Sequence, residues 1–129
     1  MADVQWIEAM VAAWNAHDGD RVAACFAPDG SWEDVSFGFR HEGRARIAEM
    51  WSVESPGFSS DARFDLVSAV VDDSGYGIQW RWSGTHNDSG RPFDIRGASI
   101  GLLHDGLVVE HFDYWNPAHV SEQLGMVVE

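Results

Sequence analysis

The sequence predicts an α+β domain, with helices packed on one face of a curved antiparallel sheet. Three observations carry this. Apolar residues near the start recur at the three- and four-residue spacing of a helix face. From Arg63 onward, strand-like segments are separated by short Asp/Asn/Ser/Gly strings of the hairpin type. The chain has 129 residues, 45% apolar and 22% charged, which suits one core and a single domain over 1–129.

Trp6, Ile7, Met10, Val11 and Trp14 form the buried face of a first helix, with Asp3 placed as its N-cap. Asn15-Ala-His-Asp-Gly19 breaks it. A short second helix follows, with Asp18 as cap and Val22, Cys25 and Phe26 on one face. Pro28-Asp29-Gly30 reads as a turn and residues 31–35 as a short strand in which Trp32 and Asp34 share a face. A third helix is expected over 43–52, with Ile47, Met50 and Trp51 as its stripe, and residues 55–60 read as a loop. Strands are expected over 63–71, 76–86, 92–104 and 107–115, separated by Asp72-Asp-Ser-Gly75, Asn87-Asp-Ser-Gly90 and Asp105-Gly106. Asn116, Pro117 and Gly125 mark the cap, first turn and end of a last helix.

Charge narrows the function. There are 21 acidic and 8 basic residues, a net −13, and every basic residue is Arg. Lysine Schiff-base chemistry is excluded. Nucleic acid and anionic membrane are expected not to be partners, because both are repelled by such a field. The single Cys25 can form neither an internal disulfide nor a cysteine-based zinc site. No apolar run is long enough to span a bilayer and no signal peptide opens the chain, so a cytoplasmic protein is expected. The six histidines show no metal-binding spacing, and no phosphate-cradling loop is present, so neither metal nor cofactor is expected. Ser99 lacks the strand-to-helix context of a nucleophile elbow.

Strand alternation then selects candidate site residues. Ile78, Trp80, Trp82, Gly84 and His86 share one face, which should look toward the helices. In the last strand Val109, His111, Asp113 and Trp115 share a face. Seven tryptophans, at 6, 14, 32, 51, 80, 82 and 115, are hard to pack without a void, and each indole N–H needs an acceptor. A Trp-lined cavity is therefore one expectation, and a filled core is the other.

Several strings resemble the SnoaL-like branch of the nuclear transport factor 2-like superfamily over almost the whole chain. They are Val11-Ala-Ala-Trp-Asn-Ala-His-Asp-Gly-Asp20, Phe26-Ala-Pro-Asp-Gly-Ser-Trp-Glu-Asp34 and Asp105-Gly-Leu-Val-Val-Glu-His-Phe-Asp-Tyr-Trp-Asn116. The resemblance implies a cone in which a curved sheet wraps a long N-terminal helix around a deep apolar pocket. Trp32-Glu33-Asp34 is similar to the string holding the general base of ketosteroid isomerases, so Asp34 falls on that position. The isomerases' oxyanion hole does not carry over, because its two positions fall near Met10 and Ser99. Phe112-Asp113-Tyr-Trp-Asn116 is similar to a string of limonene-1,2-epoxide hydrolases, and SnoaL-like polyketide cyclases place an acid/base Asp there. The hydrolases' Arg-x-Asp pair falls on Trp80 and Trp82.

The resemblance turns Asp113 toward the pocket, and with it Val109, His111 and Trp115. The expected site then has Asp113 as principal acid/base, Asp34 as its partner, and His111 or His86 orienting or relaying protons. Trp32, Trp80, Trp82 and Trp115 are its walls, joined by Ile95, Gly97, Ser99, Met10 and Trp14, with Gly97 and Gly101 leaving room. Burial among indoles is expected to raise a carboxyl pKa. With no pocket Arg or Lys, a neutral, apolar, cyclic small molecule is the expected ligand. Cofactor-free cyclisation, isomerisation, dehydration or epoxide hydrolysis would suit it. A non-catalytic small-molecule binder or dimerisation module of the same fold is the alternative. In each case the outer sheet face, with Phe112 and Tyr114, is an expected homodimer surface.

Overall fold

The computed structural model describes residues 2–126. Helix α1 spans Val4–Asn15, and the Asp3 side chain caps it by accepting from the Trp6 N–H. Helix α2, Gly19–Ala24, is capped in the same way by Asp18, which accepts from the Arg21 N–H. Phe26 does not belong to the face of α2. It opens strand β1, Phe26–Asp34, and is fully buried.

Strand β1 is longer than expected, because it carries Pro28 and Gly30 inside it. It runs parallel to the last strand, with Phe26 beside Val108 and Ser31 beside Glu110, so five steps along β1 cover two along its neighbour. The bulged segment absorbs a proline that has no N–H to offer the ladder. A short strand β2, Phe39–Glu42, folds back antiparallel onto β1 and was not expected. Helix α3, Arg44–Glu49, continues through a π-helical turn, Met50–Glu54, into α4, Ser55–Phe58. Residues 55–58 are thus helical where a loop was expected. Pro56 sits in the first turn of α4, directly after the π-helical turn at which the helical hydrogen-bond pattern changes.

The second half is the expected meander: β3 Arg63–Asp72, β4 Gly75–Thr85, β5 Pro92–His104 and β6 Leu107–Trp115. The curved, unclosed sheet has the order β2-β1-β6-β5-β4-β3. At the β5–β6 turn Asp105 and Gly106 have φ of 51° and 78°, both positive as a two-residue hairpin turn of this hand needs. Helix α5, Pro117–Gln123, is capped by Asn116, which accepts from the Ala118 N–H, and Gly125 follows it with φ 71°.

Ile7, Met10, Val11 and Trp14 of α1 pack on Tyr76, Ile78, Trp80 and Val108 of the sheet. Burying a side chain such as Ile7 or Phe26 contributes roughly 1.5–3 kcal/mol each. A second apolar cluster, Ala62, Phe93, Ile95, Val120 and Leu124, fixes α5 against β5.

Alternation in β4 is as expected, but β6 contains a bulge. Leu102 faces Glu110 and Leu103 faces Val108, leaving Val109 as an extra residue. Val108 is therefore the fully buried one, and Val109 is only partly buried. The expectation that Val109 faces inward is corrected; beyond the bulge His111, Asp113 and Trp115 keep the inward phase. No helix among the described residues is long and apolar enough to cross a membrane.

Candidate functional site

The site grows from three adjacent strands. Ser99 lies midway along β5, opposite Asp113 of β6 and Ile78 of β4. Glycines flank it two residues away on the same face. A Cβ on Gly97 would fall 2.3 Å from the Trp80 ring, and one on Gly101 would fall 2.0 Å from the Tyr76 ring. The room these glycines leave is thus taken by rings from β4 and not by open space. Lying across β5, the rings deliver their polar ends into the network beyond. The Trp80 Nε1–H donates to Ser99 Oγ at 2.8 Å, and the Tyr76 hydroxyl is hydrogen-bonded to His111 Nδ1.

Everything converges on Asp113. Ser99 Oγ donates to its Oδ1 at 2.6 Å, and His111 Nε2 lies 2.7 Å from the same oxygen. The Trp32 Nε1–H donates to Oδ2 at 2.9 Å. A carboxylate only accepts, so His111 Nε2 donates to Asp113, while Nδ1 is paired with the Tyr76 hydroxyl. Burial pushes the Tyr76 hydroxyl well above its usual pKa, and the Asp113 charge adds to this, so Tyr76 stays a donor.

Asp34 stands at the end of β1, beside Asp113 in the parallel register. The Trp115 Nε1–H lies 3.0 and 3.1 Å from its two oxygens, and the Phe37 N–H donates at 3.1 Å. Burial pushes the Asp34 carboxyl above its usual value. The Trp115 and Phe37 hydrogen bonds oppose this, and the neighbouring Asp113 charge adds to the rise.

Asp34 and Asp113 line one cavity of about 160 Å³. Its other walls are Trp14, Trp32, Phe39, His41, Met50, Trp51, Ser55, Phe64, Trp80, Trp82 and Trp115. Through Asp34, Phe39, Met50, Ser55, Trp82 and Trp115 it adjoins a larger hollow of about 430 Å³ that α5 helps to form. The indole N–H groups of Trp14, Trp51 and Trp82 have no hydrogen-bond acceptor among the described residues.

The residues singled out from the sequence divide into three groups. Asp34, Asp113, Trp14, Trp32, Trp80, Trp82 and Trp115 meet at the cavity. His111 and Ser99 lie behind Asp113, almost wholly buried, and touch the site through it. Met10 is core, Ile95 belongs to the cluster under α5, and Gly97 makes space for Trp80. His86 bonds Ser89 through Nδ1 and packs on Phe58, outside the cavity lining.

Sequence reasoning missed Phe39, His41, Phe64 and Ser55, and took Met50 and Trp51 for core. Phe39 and His41 sit opposite Asp34 and Trp32 in the β1–β2 pair and so share their inward face. The signal was present: an alternating pair mirrors Trp32 and Asp34 across the tight turn at Gly38. The His41 ring makes no hydrogen bond to a described residue. Burial holds its pKa below the ordinary value, and the Arg46 guanidinium helps, so the imidazole is neutral near pH 7.

Comparison with solved structures recovers the same architecture. A protein from Catenulispora acidiphila with a ketosteroid isomerase-like fold, solved with trimethylamine, superposes with a TM-score of 0.89 at 20% identity, over 98% of this chain and 96% of that one. IdmH, a candidate polyketide cyclase from Streptomyces antibioticus, gives a TM-score of 0.81 at 20% identity, over 95% and 98%. TerC, co-crystallised with polyporic acid, gives 0.80 at 15% identity, over 95% and 97%. At these identities the likeness shows the fold alone. No curated protein matches the sequence. The model of the SnoaL-like domain matches residues 7–111, from α1 to the middle of β6, and the chain therefore belongs to the SnoaL-like family.

Proposed function

We propose that this protein is a cofactor-independent acid/base enzyme acting on a small, largely apolar, cyclic compound that carries no negative charge. One observation carries the reading: Asp34 and Asp113 face the same tryptophan-walled cavity while every Arg of the chain lies outside its lining. A cavity of about 160 Å³ matches a single six-membered ring, since an apolar protein cavity of roughly 150 Å³ accepts benzene. Any further part of the compound would extend into the adjoining hollow under α5.

In this reading Asp113 takes a proton from a carbon next to a carbonyl and can return it to the substrate in a later step. Ser99, His111 and Trp32 hold its carboxylate in position. Asp34, with its raised pKa, supplies or receives the complementary proton. His41, the lining imidazole, whose ring makes no hydrogen bond to a described residue, can carry protons between the two. An unpartnered indole N–H of Trp14, Trp51 or Trp82 would donate to the oxygen on which charge develops. Aldol cyclisation, double-bond isomerisation, dehydration and epoxide opening all fit this equipment.

The test uses a ring-sized probe, the isomerisation of cyclohex-3-en-1-one to its conjugated isomer, followed by ultraviolet absorbance. Saturable acceleration is expected. Asp113→Asn should lower kcat about 10²-fold or more, the usual contribution of one acid/base group, and Asp34→Asn should lower it less. Equal rates in the wild type and both amide variants would overturn the proposal.

A further inference from the structure

The cavity has an unbalanced charge. Asp34 is hydrogen-bonded by the Trp115 indole, and Asp113 by Trp32, Ser99 and the single imidazole of His111 behind it. Arg40 is turned to Glu33, Glu42 and Glu110, and Arg46 to Glu49 and Glu54. His41, the remaining titratable group of the lining, is held neutral by burial and by Arg46. Two carboxylates withdrawn from water, with no Arg or Lys in the lining to face them, are costly, and an entering cation lowers that cost.

The walls favour the same ligand. Six of the seven tryptophans line the cavity, and an indole is the strongest of the aromatic partners for a cation. The absence of lining Arg and Lys disfavours an anion, but it does not distinguish a neutral ligand from a cationic one; the two carboxylates do. A net charge of −13 draws cations toward the molecule from a distance. The volume of about 160 Å³ suits a compact alkylated nitrogen as well as it suits a carbon ring. A primary ammonium would need three hydrogen-bond acceptors, whereas the carboxylate oxygens already serve protein donors and most of the wall is apolar.

We propose that the cavity selects a ligand bearing an alkylated ammonium centre, as a head group or within a ring, seated between Asp34, Asp113 and the surrounding indoles. This deepens the reading above, on whose cavity it rests, by naming the ligand's charge.

The test compares choline with 3,3-dimethylbutan-1-ol, which has the same shape with carbon in place of the charged nitrogen. Binding of each is read by tryptophan fluorescence and by calorimetry. Choline is expected to bind about tenfold tighter or more. Asp113→Asn should remove most of that difference by weakening choline far more than it weakens the alcohol. Trp82→Leu separates the indole contribution, because the Trp82 N–H serves no carboxylate; it should weaken choline more than the alcohol. Equal affinities in the wild type, tighter binding of the alcohol, or no saturable binding of choline would each overturn the proposal, and none of these needs a variant to fold. A wild type that isomerises cyclohexenone without preferring choline leaves the acid/base reading standing and removes only the ammonium ligand. A wild type that prefers choline but shows no carboxylate-dependent isomerisation does the reverse.

Discussion

The two cavity carboxylates are the same residue type on neighbouring strands, yet the molecule treats them differently. Asp113 is built into the middle of the sheet, where Ser99, His111 and Trp32 all donate to it and Tyr76 and Trp80 stand behind those donors. Asp34 is at the rim, near the edge strand β2, with one indole and one backbone N–H. A network closed by buried rings positions Asp113, whereas partial burial sets the proton affinity of Asp34. Position and proton affinity are thus governed by separate parts of the fold.

The comparison breaks first, and hardest, at His111. His111→Ala empties a fully buried site, strips Asp113 of one donor and leaves the Tyr76 hydroxyl without its partner. The expected loss is roughly 3–5 kcal/mol in urea unfolding, from the cavity and the unpaired polar groups together. A loss below about 1 kcal/mol would mean the network does not anchor Asp113.

Gly97→Ala should act next. Its Cβ would lie 2.3 Å from the Trp80 ring, so the indole must move off Ser99. Overpacking of this kind costs roughly 1–3 kcal/mol. A crystal structure of the variant with Trp80 unmoved would contradict the account of how the glycine works.

The smallest effect belongs to Asp34 and carries a sign. Its pKa is raised on folding, so folding favours its protonated form. That contribution is complete below the ordinary Asp value near 4 and is lost as pH rises through the raised one. Asp34→Asn, which cannot ionise, should therefore have a higher Tm than the wild type at pH 7 and no advantage near pH 3. Equal differences at both pH values would show that burial is not what sets its titration.

Much of this could be read from residue order, and the failures have physical causes. The meander was legible because Asp105-Gly106 and the Asp-Asp-Ser-Gly string join long segments whose pattern has a period of two. The caps Asp3, Asp18 and Asn116 were legible because their side-chain oxygens satisfy the first free N–H groups of each helix. Strand β1 was read too short because Pro28 and Gly30 are turn residues by local chemistry, and the parallel neighbour that tolerates them is 80 residues away. Strand β2 was missed because four residues with two charges carry too little pattern. His41 was lost with it, having been weighed only for metal spacing. Asp34 and Asp113 were visible as strand-face residues, but that they share one void depends on β1 lying parallel to β6, which no local pattern shows.

The extra residue at Val109 makes β6 a strand of two phases. Before it, Val108 completes the apolar floor; after it, His111, Asp113 and Trp115 take the inward turn. Removing one residue there would send either the floor valine or the Asp113 carboxylate to the outside. The number of residues between the Asp105-Gly106 hairpin and Asp113 is therefore as binding a requirement as their identity. Insertions and deletions compatible with this chemistry belong in the connecting turns instead.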